Sequence, residues 1–405
     1  MATTAPYKPV SKRWFLIHDT LFFLALLAIS IALFGVTLFL FRSFQSHRAD
    51  LAIRWSDRGR TALQQNRPEE AVGALRTALH YAPDNRDEQL LLAEALAASG
   101  HRAEAINYFL SLWDDRPGDG FINLQLARLA RQRADNTAAE DYYRASIYGS
   151  WEGDAVLRRR QGRLELSDFL IGLHKNAEAR NELFTVAGNA PSEVALNETV
   201  AEKLALAGYL PDALTFYQKA AAASPRQREP LLLAGRTAYE LGEYATAARL
   251  LERASDVKPG AGAPESDLAE LTANARRIQQ LTLTRDQPAR ERADHILTAS
   301  QIAQDRLRTC VTHVGLAPAD ATLISNLTAS WTAAAAGASS GSRSRPGVNR
   351  RTMLENATAQ ETWTQLIYQT EQQTAQVCGQ PAGDDALLLR LANTASRKDQ
   401  LQNGK

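Results

Sequence analysis

The stretch EEAVGALRTALHYAPDN, residues 69–85, supplies a template that returns along the chain. AEAINYFLSLWDDRPGD follows at 103–119, PDALTFYQKAAAASPRQ at 211–227 and EYATAARLLERASDVKPGA at 243–261. Each carries an alanine, a bulky residue four positions later, a small residue three after that and a proline five further on. Spacings of three and four fall on one helix face, and proline stops a helix because it lacks an N–H and crowds the preceding turn. The template predicts the second helix of a short helical repeat.

In a 34-residue register, repeats begin at 52, 86, 120, 160, 194 and 228. Position 20 holds Ala71, Ala105, Ala139, Ala179, Ala213 and Ala247. Position 24 holds Leu75, Phe109, Tyr143, Leu183, Tyr217 and Leu251, and position 8 holds Gly59, Ala93, Ala127, Ser167, Ala201 and Gly235. Position 32 reads Pro83, Pro117, Trp151, Pro191, Pro225 and Pro259. Small groups at positions 8 and 20 let the two helices of a repeat approach closely, and the bulky residue at 24 is expected to fill the gap between repeats. A repeat of this size cannot bury its apolar face alone, so neighbours must stack. The third repeat departs from the pattern at Trp151, and the fourth starts six residues late, after GDAVLR at 154–159. That insertion reads as an elongated helix or an inter-repeat loop. Its Arg158, Arg159, Arg160 and Arg163 read as a solvated face or as a contact for an anionic partner.

A 34-residue helix–turn–helix period resembles the tetratricopeptide repeat, of the membrane-anchored bacterial type, over roughly residues 52–261. The resemblance implies an all-α fold, a right-handed superhelix of about six helix pairs. It also implies a concave groove lined by the first helices, in which positions 2, 5, 9 and 12 commonly face a protein or peptide partner. Position 9 reads Arg60, Glu94, Arg128, Asp168, Glu202 and Arg236; position 5 reads Ser56, Leu90, Leu124, Leu164, Glu198 and Leu232. The implied groove therefore has a charged row beside an apolar strip of Leu90, Leu124, Leu164 and Leu232. Two roles compete for the row: pairing between adjacent repeats, or reading the charges of a bound segment. The carboxylate clamp of chaperone-tail-binding relatives is not recognisable, because its places hold Ser56, Arg60 and Leu91.

Residues 21–41, LFFLALLAISIALFGVTLFLF, carry no charge. A bilayer core about 30 Å thick needs roughly 20 apolar residues in a helix, so the run is long enough to span. A cleavable signal has a shorter apolar region of about 7–15 residues and a small-residue cleavage site, which FRSFQSHRAD does not supply. An uncleaved single-pass anchor is expected, with Trp14 and Phe15 at headgroup level. Counting lysine and arginine alone, Lys8, Lys12 and Arg13 against Arg42, Arg48, Arg54, Arg58 and Arg60 point to a cytoplasmic body. The arginines from Arg54 onward fall inside a folded repeat, however, and the expectation is an extracytoplasmic body, periplasmic in a bacterium. Arginine-dominated basic residues and abundant alanine fit a GC-rich bacterial genome.

Beyond the repeats, ESDLAELTANARRIQQLTL puts Leu268, Leu271, Ala275, Ile278 and Leu281 at helical spacing and is expected to cap the last repeat. The expected organisation is capping and C-terminal helices over 262–335, a flexible Gly/Ser linker at 336–351 and further helices over 352–395. TMLENATAQETWTQLIYQTEQQTAQVC reads as one long helix with Leu354, Trp363, Leu366 and Ile367 as its apolar face. Cys310 and Cys378 sit near predicted helix ends, and a disulfide between them would staple the helices across the linker. Such a bond persists outside the cytoplasm.

A net charge of +1 gives no basic field for nucleic acid. The seven histidines form no H-E-x-x-H, and no phosphate-loop, dinucleotide or nucleophile-elbow pattern occurs. The sequence therefore predicts no enzyme, metal or cofactor, and instead a membrane-anchored scaffold for a protein partner. Envelope, secretion or surface-polymer assembly fits by family analogy. Self-association as a homo-oligomer is the alternative, and an enzyme accessory acting through the C-terminal helices is a weaker one.

Overall fold

The computed structural model describes residues 12–188, 193–257, 265–312, 317–339 and 350–403. Lys8, Pro191, Pro259, His313 and most of the linker expected at 336–351 lie outside them. Regular structure among the described residues is helical, apart from one isolated bridge between Asp119 and Ser150. The chain forms two compact bodies, Met1–Phe169 and Leu170–Lys405.

The N-terminal body contains α1 (Lys12–Gln64), α2 (Pro68–Tyr81), α3 (Arg86–Ala98), α4 (Arg102–Asp115), α5 (Gly120–Gln132) and α6 (Asn136–Tyr148). The division between bodies falls inside α7 (Ala155–Gly172). The C-terminal body continues with α8 (Asn176–Gly188), α9 (Val194–Leu206), α10 (Leu210–Ala223), α11 (Arg228–Leu241) and α12 (Tyr244–Asp256). It closes with α13 (Glu265–Leu281), α14 (Ala289–Val311), α15 (Pro318–Ser339), α16 (Arg350–Glu355), α17 (Ala357–Cys378) and α18 (Gly383–Asn403). Helices pack in sequential pairs, α1 with α2, α3 with α4, α5 with α6, α9 with α10 and α11 with α12.

Each pair turns on the same device. Position 15 is left-handed in every repeat: Asn66, Gly100, Ala134, His174, Gly208 and Gly242 all have φ between 55° and 86°. That conformation releases the next N–H, at position 16, to bond back to the carbonyl of position 11. The bonds run from Arg67 to Ala62, His101 to Leu96, Asp135 to Ala130, Lys175 to Leu170, Tyr209 to Leu204 and Glu243 to Ala238, at 2.8–3.0 Å. Three repeats use glycine there, for which a left-handed φ carries no steric cost; the other three use Asn, Ala and His.

Packing within a pair explains the small residues at position 8. A Cβ added to Gly59 would lie 2.6 Å from Cγ of Leu75, and one added to Gly235 would lie 2.7 Å from Cγ of Leu251. Position 24 therefore sits over position 8 of its own repeat, and in the third repeat Tyr143 also meets Phe169 of the next, with ring centroids 5.7 Å apart, as a residue filling the gap between repeats should. The alanines at position 20 are all fully buried, as are Ala93, Ala127 and Ala201 at position 8. Prolines at position 32 follow the second helices closely: α2 ends at Tyr81 before Pro83, α4 at Asp115 before Pro117, and α10 at Ala223 before Pro225.

The third repeat replaces proline with a side-chain plug. Trp151 lies against Gly120, so that any Cβ there would enter the indole, and its Nε1 donates to the Ser146 carbonyl at 2.9 Å. Both expectations for the insertion hold in part: residues 149–154 form a loop, and α7 begins at Ala155, five residues before the repeat register. Arg159 donates to the Gly149 carbonyl at 3.0 Å and Arg163 lies 5.8 Å over the Tyr148 ring, so these arginines brace the loop.

Helix α1 is long and apolar enough to cross a membrane, and it does not end with the apolar run. Its large side chains from Leu21 to Phe41 are exposed, whereas Ala52, Ser56, Gly59 and Ala62 on the same helix are buried against the first repeat. Arg48 donates to the Tyr81 carbonyl at 2.9 Å, tying α1 to the end of α2.

In the C-terminal body, α13 packs on α12 but also on α14 and α18, so it leads into a bundle instead of ending the array. The long helix expected from residue 352 is broken: Asn356 leaves the helix and its side chain accepts from the Ala359 N–H at 3.0 Å, starting α17 afresh. Asparagine competes with the backbone for hydrogen bonds in this way and favours caps over helix interiors. Trp331 of α15 meets Trp363 of α17 edge to face at 5.2 Å and donates to Thr370 Oγ1 at 2.9 Å. Cys310 and Cys378 are joined, with Cα atoms 5.7 Å apart, linking the ends of α14 and α17.

Three measurements follow from this architecture. Ala134→Gly relieves a left-handed alanine at an exposed site and should stabilise the protein by about 1 kcal/mol in denaturant unfolding. Unreduced protein should show no alkylatable thiol by intact mass. Cys378→Ser should cost about 4 kcal/mol from the loop it opens.

Candidate partner-binding face

The first helices α1, α3, α5 and α7 carry the predicted row in the N-terminal body. Arg60 is exposed and reaches Glu88 of α3 and Asp57, both at 3.5 Å. Arg128 makes a two-pronged bond to Glu165 of α7, Nε to Oε2 at 2.8 Å and Nη2 to Oε1 at 2.6 Å. That bond, with the neighbouring carboxylate charge, holds the Arg128 guanidinium above its ordinary range despite partial burial. Pairing thus joins adjacent repeats, but from position 9 to position 3 or 6 of the next, not along the row itself. Glu94 is half-buried and has no ion pair among the described residues; burial raises its carboxyl above the usual range. Asp168 is half-buried in the same body.

The apolar strip is thinner than the sequence suggested. Leu124 is 3% exposed and belongs to the core, while Leu90 and Leu164 are half-buried. Ser56, at the start of the strip, is buried and its hydroxyl has no partner.

In the C-terminal body the same positions hold Glu198 and Leu232, and Glu202 and Arg236. Glu202 is exposed, and Glu198 is half-buried with its carboxyl raised by burial and then by Glu229. The Tyr217 hydroxyl is pushed up to about 12 by burial, then by the charges of Glu202, Glu198 and Glu240. Leu232 and Arg236 are half-buried on α11. Three glutamates from α9 and α11, Glu198, Glu202 and Glu240, thus act on one tyrosine.

A second set of charges escaped the sequence reading. Arg76 of α2 reaches Glu104 of α4 at 2.7 Å, and Arg180 of α8 reaches Asp212 of α10 at 2.5 Å while lying 4.7 Å over Phe184. Glu104 and Asp212 both occupy position 19, as do Glu70 and Glu178. An acid there sits in the first turn of the second helix, where the helix dipole favours it; Glu104 and Asp212 meet an arginine from the preceding repeat, whereas Glu70 pairs with Arg67 of its own. Its recurrence just before the invariant alanine was the available signal.

No group of three or more His, Cys, Asp or Glu converges as a metal site among the described residues. Asn197 is buried and donates to the Glu193 carbonyl at 2.9 Å, and Asn356 serves as the α17 cap. A double-mutant cycle on Arg128→Ala and Glu165→Ala should give a coupling of roughly 1 kcal/mol, falling with salt.

The tetratricopeptide repeat family matches residues 62–120, from the end of α1 to the first residue of α5. No curated protein matches the sequence. Among solved structures, that reported in the functional characterization of Pseudomonas aeruginosa pilF is 17% identical, with a TM-score of 0.39, covering 56% of this chain and 99% of that one. PilW, described as a widely conserved type IV pilus biogenesis factor, is 17% identical with a TM-score of 0.37, covering 52% and 91%. YrrB, described as a TPR protein with an unusual peptide-binding site, is 15% identical with a TM-score of 0.37, covering 51% and 100%. Likenesses of that size carry no argument about function. Residues 62–120 are tetratricopeptide-repeat sequence by family match, and the left-handed turn at position 15 recurs in repeats outside that match.

Proposed function

We propose that this protein is a single-pass membrane-anchored scaffold whose first-helix faces hold a protein or peptide segment close to the bilayer. The observation that carries the proposal is the continuity of α1. One helix presents an exposed apolar run long enough to span and then packs Gly59 beneath Leu75 of the first repeat. An anchor that is also a repeat helix fixes the array at the membrane without a loose tether. Anchoring raises the local concentration of the binding face, so a modest affinity suffices.

The partner is read by charge. In the C-terminal body Glu198, Glu202, Glu229 and Glu240 favour basic side chains; in the N-terminal body Leu90 and Leu164 offer half-exposed apolar contacts beside Arg60 and Glu94. The body lies on the extracytoplasmic side, a placement supported by the Cys310–Cys378 link, since disulfides are rare in the cytoplasm.

Protease added to spheroplasts should digest the body and leave a protected fragment containing residues 21–41, with the N-terminus uncleaved by sequencing. Protection of the body until the inner membrane is lysed would reverse the orientation, and an N-terminus beyond residue 41 would make the run a signal. Arg60→Glu and Glu202→Arg, in the full-length protein, should lower capture of a crosslinked native partner at least about tenfold. Unchanged capture would remove the first-helix faces from the binding surface.

A further inference from the structure

The bundle at the end of the C-terminal body contains polar groups that its packing does not satisfy. Glu371 of α17 is 0% exposed, and both carboxylate oxygens are buried without a hydrogen-bond partner among the described residues. Oδ1 of Asp385 on α18 and Nε of Arg306 on α14 are buried and unpartnered as well. Asp385 and Arg306 are the charges that act on Glu371, so the three groups form one cluster. Arg306 spends its Nη2 on the Gly379 carbonyl, just beyond the Cys310–Cys378 link.

Apart from the Arg306 and Asp385 charges, the described groups on the surrounding elements are engaged elsewhere. On α17 itself, the Thr370 and Thr374 hydroxyls donate along the helix at 2.6 and 2.7 Å. From α14, Asp305 pairs with Arg308; from α18, Asp384 pairs with Arg277 at 2.6 Å. From α15, Trp331 donates to Thr370, and Arg350 of α16 is turned to Asp294 of α14. An ionised carboxylate in such a place loses its hydration without a partner to replace it, so the neutral acid is strongly favoured. Burial first, then the Asp385 charge, push the Glu371 carboxyl up to about 8, opposed by Arg306. The Asp385 carboxyl is also raised, chiefly by burial.

What this cluster controls is set by α18. That helix lies against the last repeat: Arg390 stacks 4.2 Å over Tyr239 of α11, and the Thr394 hydroxyl meets the Tyr244 hydroxyl of α12 at 3.2 Å. The turn between α11 and α12 is shaped for it, since a Cβ at Gly242 would come within 2.5 Å of Thr394 Cγ2.

We propose that Glu371 is a proton-held latch: protonated, it lets α17 and α18 close, and its ionisation loosens α18 from the last repeat. The native carboxyl keeps its proton where the unfolded chain has released it. The stability it contributes is therefore full below the ordinary carboxylate range and is lost as pH rises through about 8. The latch is a property of the bundle and stands whether or not the first-helix faces bind a partner.

The test uses full-length protein in detergent with the disulfide intact and spin labels at Glu240→Cys and Arg397→Cys. The label distance should be single and short near pH 6 and should lengthen or broaden above about pH 9, with Glu371→Gln short at both. Infrared difference spectra should show a protonated carboxyl stretch near pH 6 that Glu371→Gln removes. Asp385→Asn should move the midpoint to lower pH, and Arg306→Met should move it higher. Those opposite shifts keep the test decisive even if Glu371→Gln folds poorly. A pH-independent distance in the unsubstituted helix pair, or no protonated carboxyl assignable to Glu371, would overturn the proposal.

Discussion

A bulky side chain lying over a near-absent one is the contact on which the rest of the structure depends. With no side chain at Gly59 and Gly235, the leucines Leu75 and Leu251 drop onto the backbone of the first helix. The left-handed residue at position 15 then reverses the chain within a few residues, which sets the two helices side by side. Because α1 supplies Gly59, the contact that closes the first repeat also joins that repeat to the apolar run. The apolar run and the first helix of the array are therefore one continuous helix.

Electrostatics then differentiates repeats that packing makes alike. In the N-terminal body, arginines at position 9 are engaged by acids on the next first helix, as in Arg128 with Glu165. In the C-terminal body, position 9 holds Glu202 and Arg236, and Glu202, Glu198 and Glu240 add to burial in raising the Tyr217 hydroxyl. Acids at position 19 do a different job, pinning successive second helices through Arg76 and Arg180. One fold plan thus carries arginines paired across repeats in one body and a cluster of glutamates around Tyr217 in the other. The bundle that follows reaches back to α11 and α12 through Arg390 and Thr394, so the last repeat is covered by the chain itself.

Much of this was legible because packing constraints repeat. Ala71 and its five counterparts stand at one phase, and every one of them is buried. The turn was harder to read: Asn66, Ala134 and His174 replace glycine at left-handed positions, so the residue type hides a geometry that only its position reveals. Leu124 looked like groove lining, but helix periodicity does not separate an inner face from the adjoining core when both are apolar. The break at Asn356 was missed because flanking helix formers on both sides outweighed a single cap residue. Glu371 gave no sequence signal at all, since its character comes from what surrounds it: α18, the next helix, and α14, distant in sequence and brought against them by the fold.

The most direct measurement is amide hydrogen exchange on the full-length protein in a bilayer mimic, read residue by residue from Arg42 to Gln64. A single α1 predicts slow exchange running without interruption from the apolar run through Arg48 and Gly59 to the end of the helix. Fast exchange between about residues 42 and 51 would mean a loose tether there, and would contradict the claim that the anchor and the first repeat are one rod.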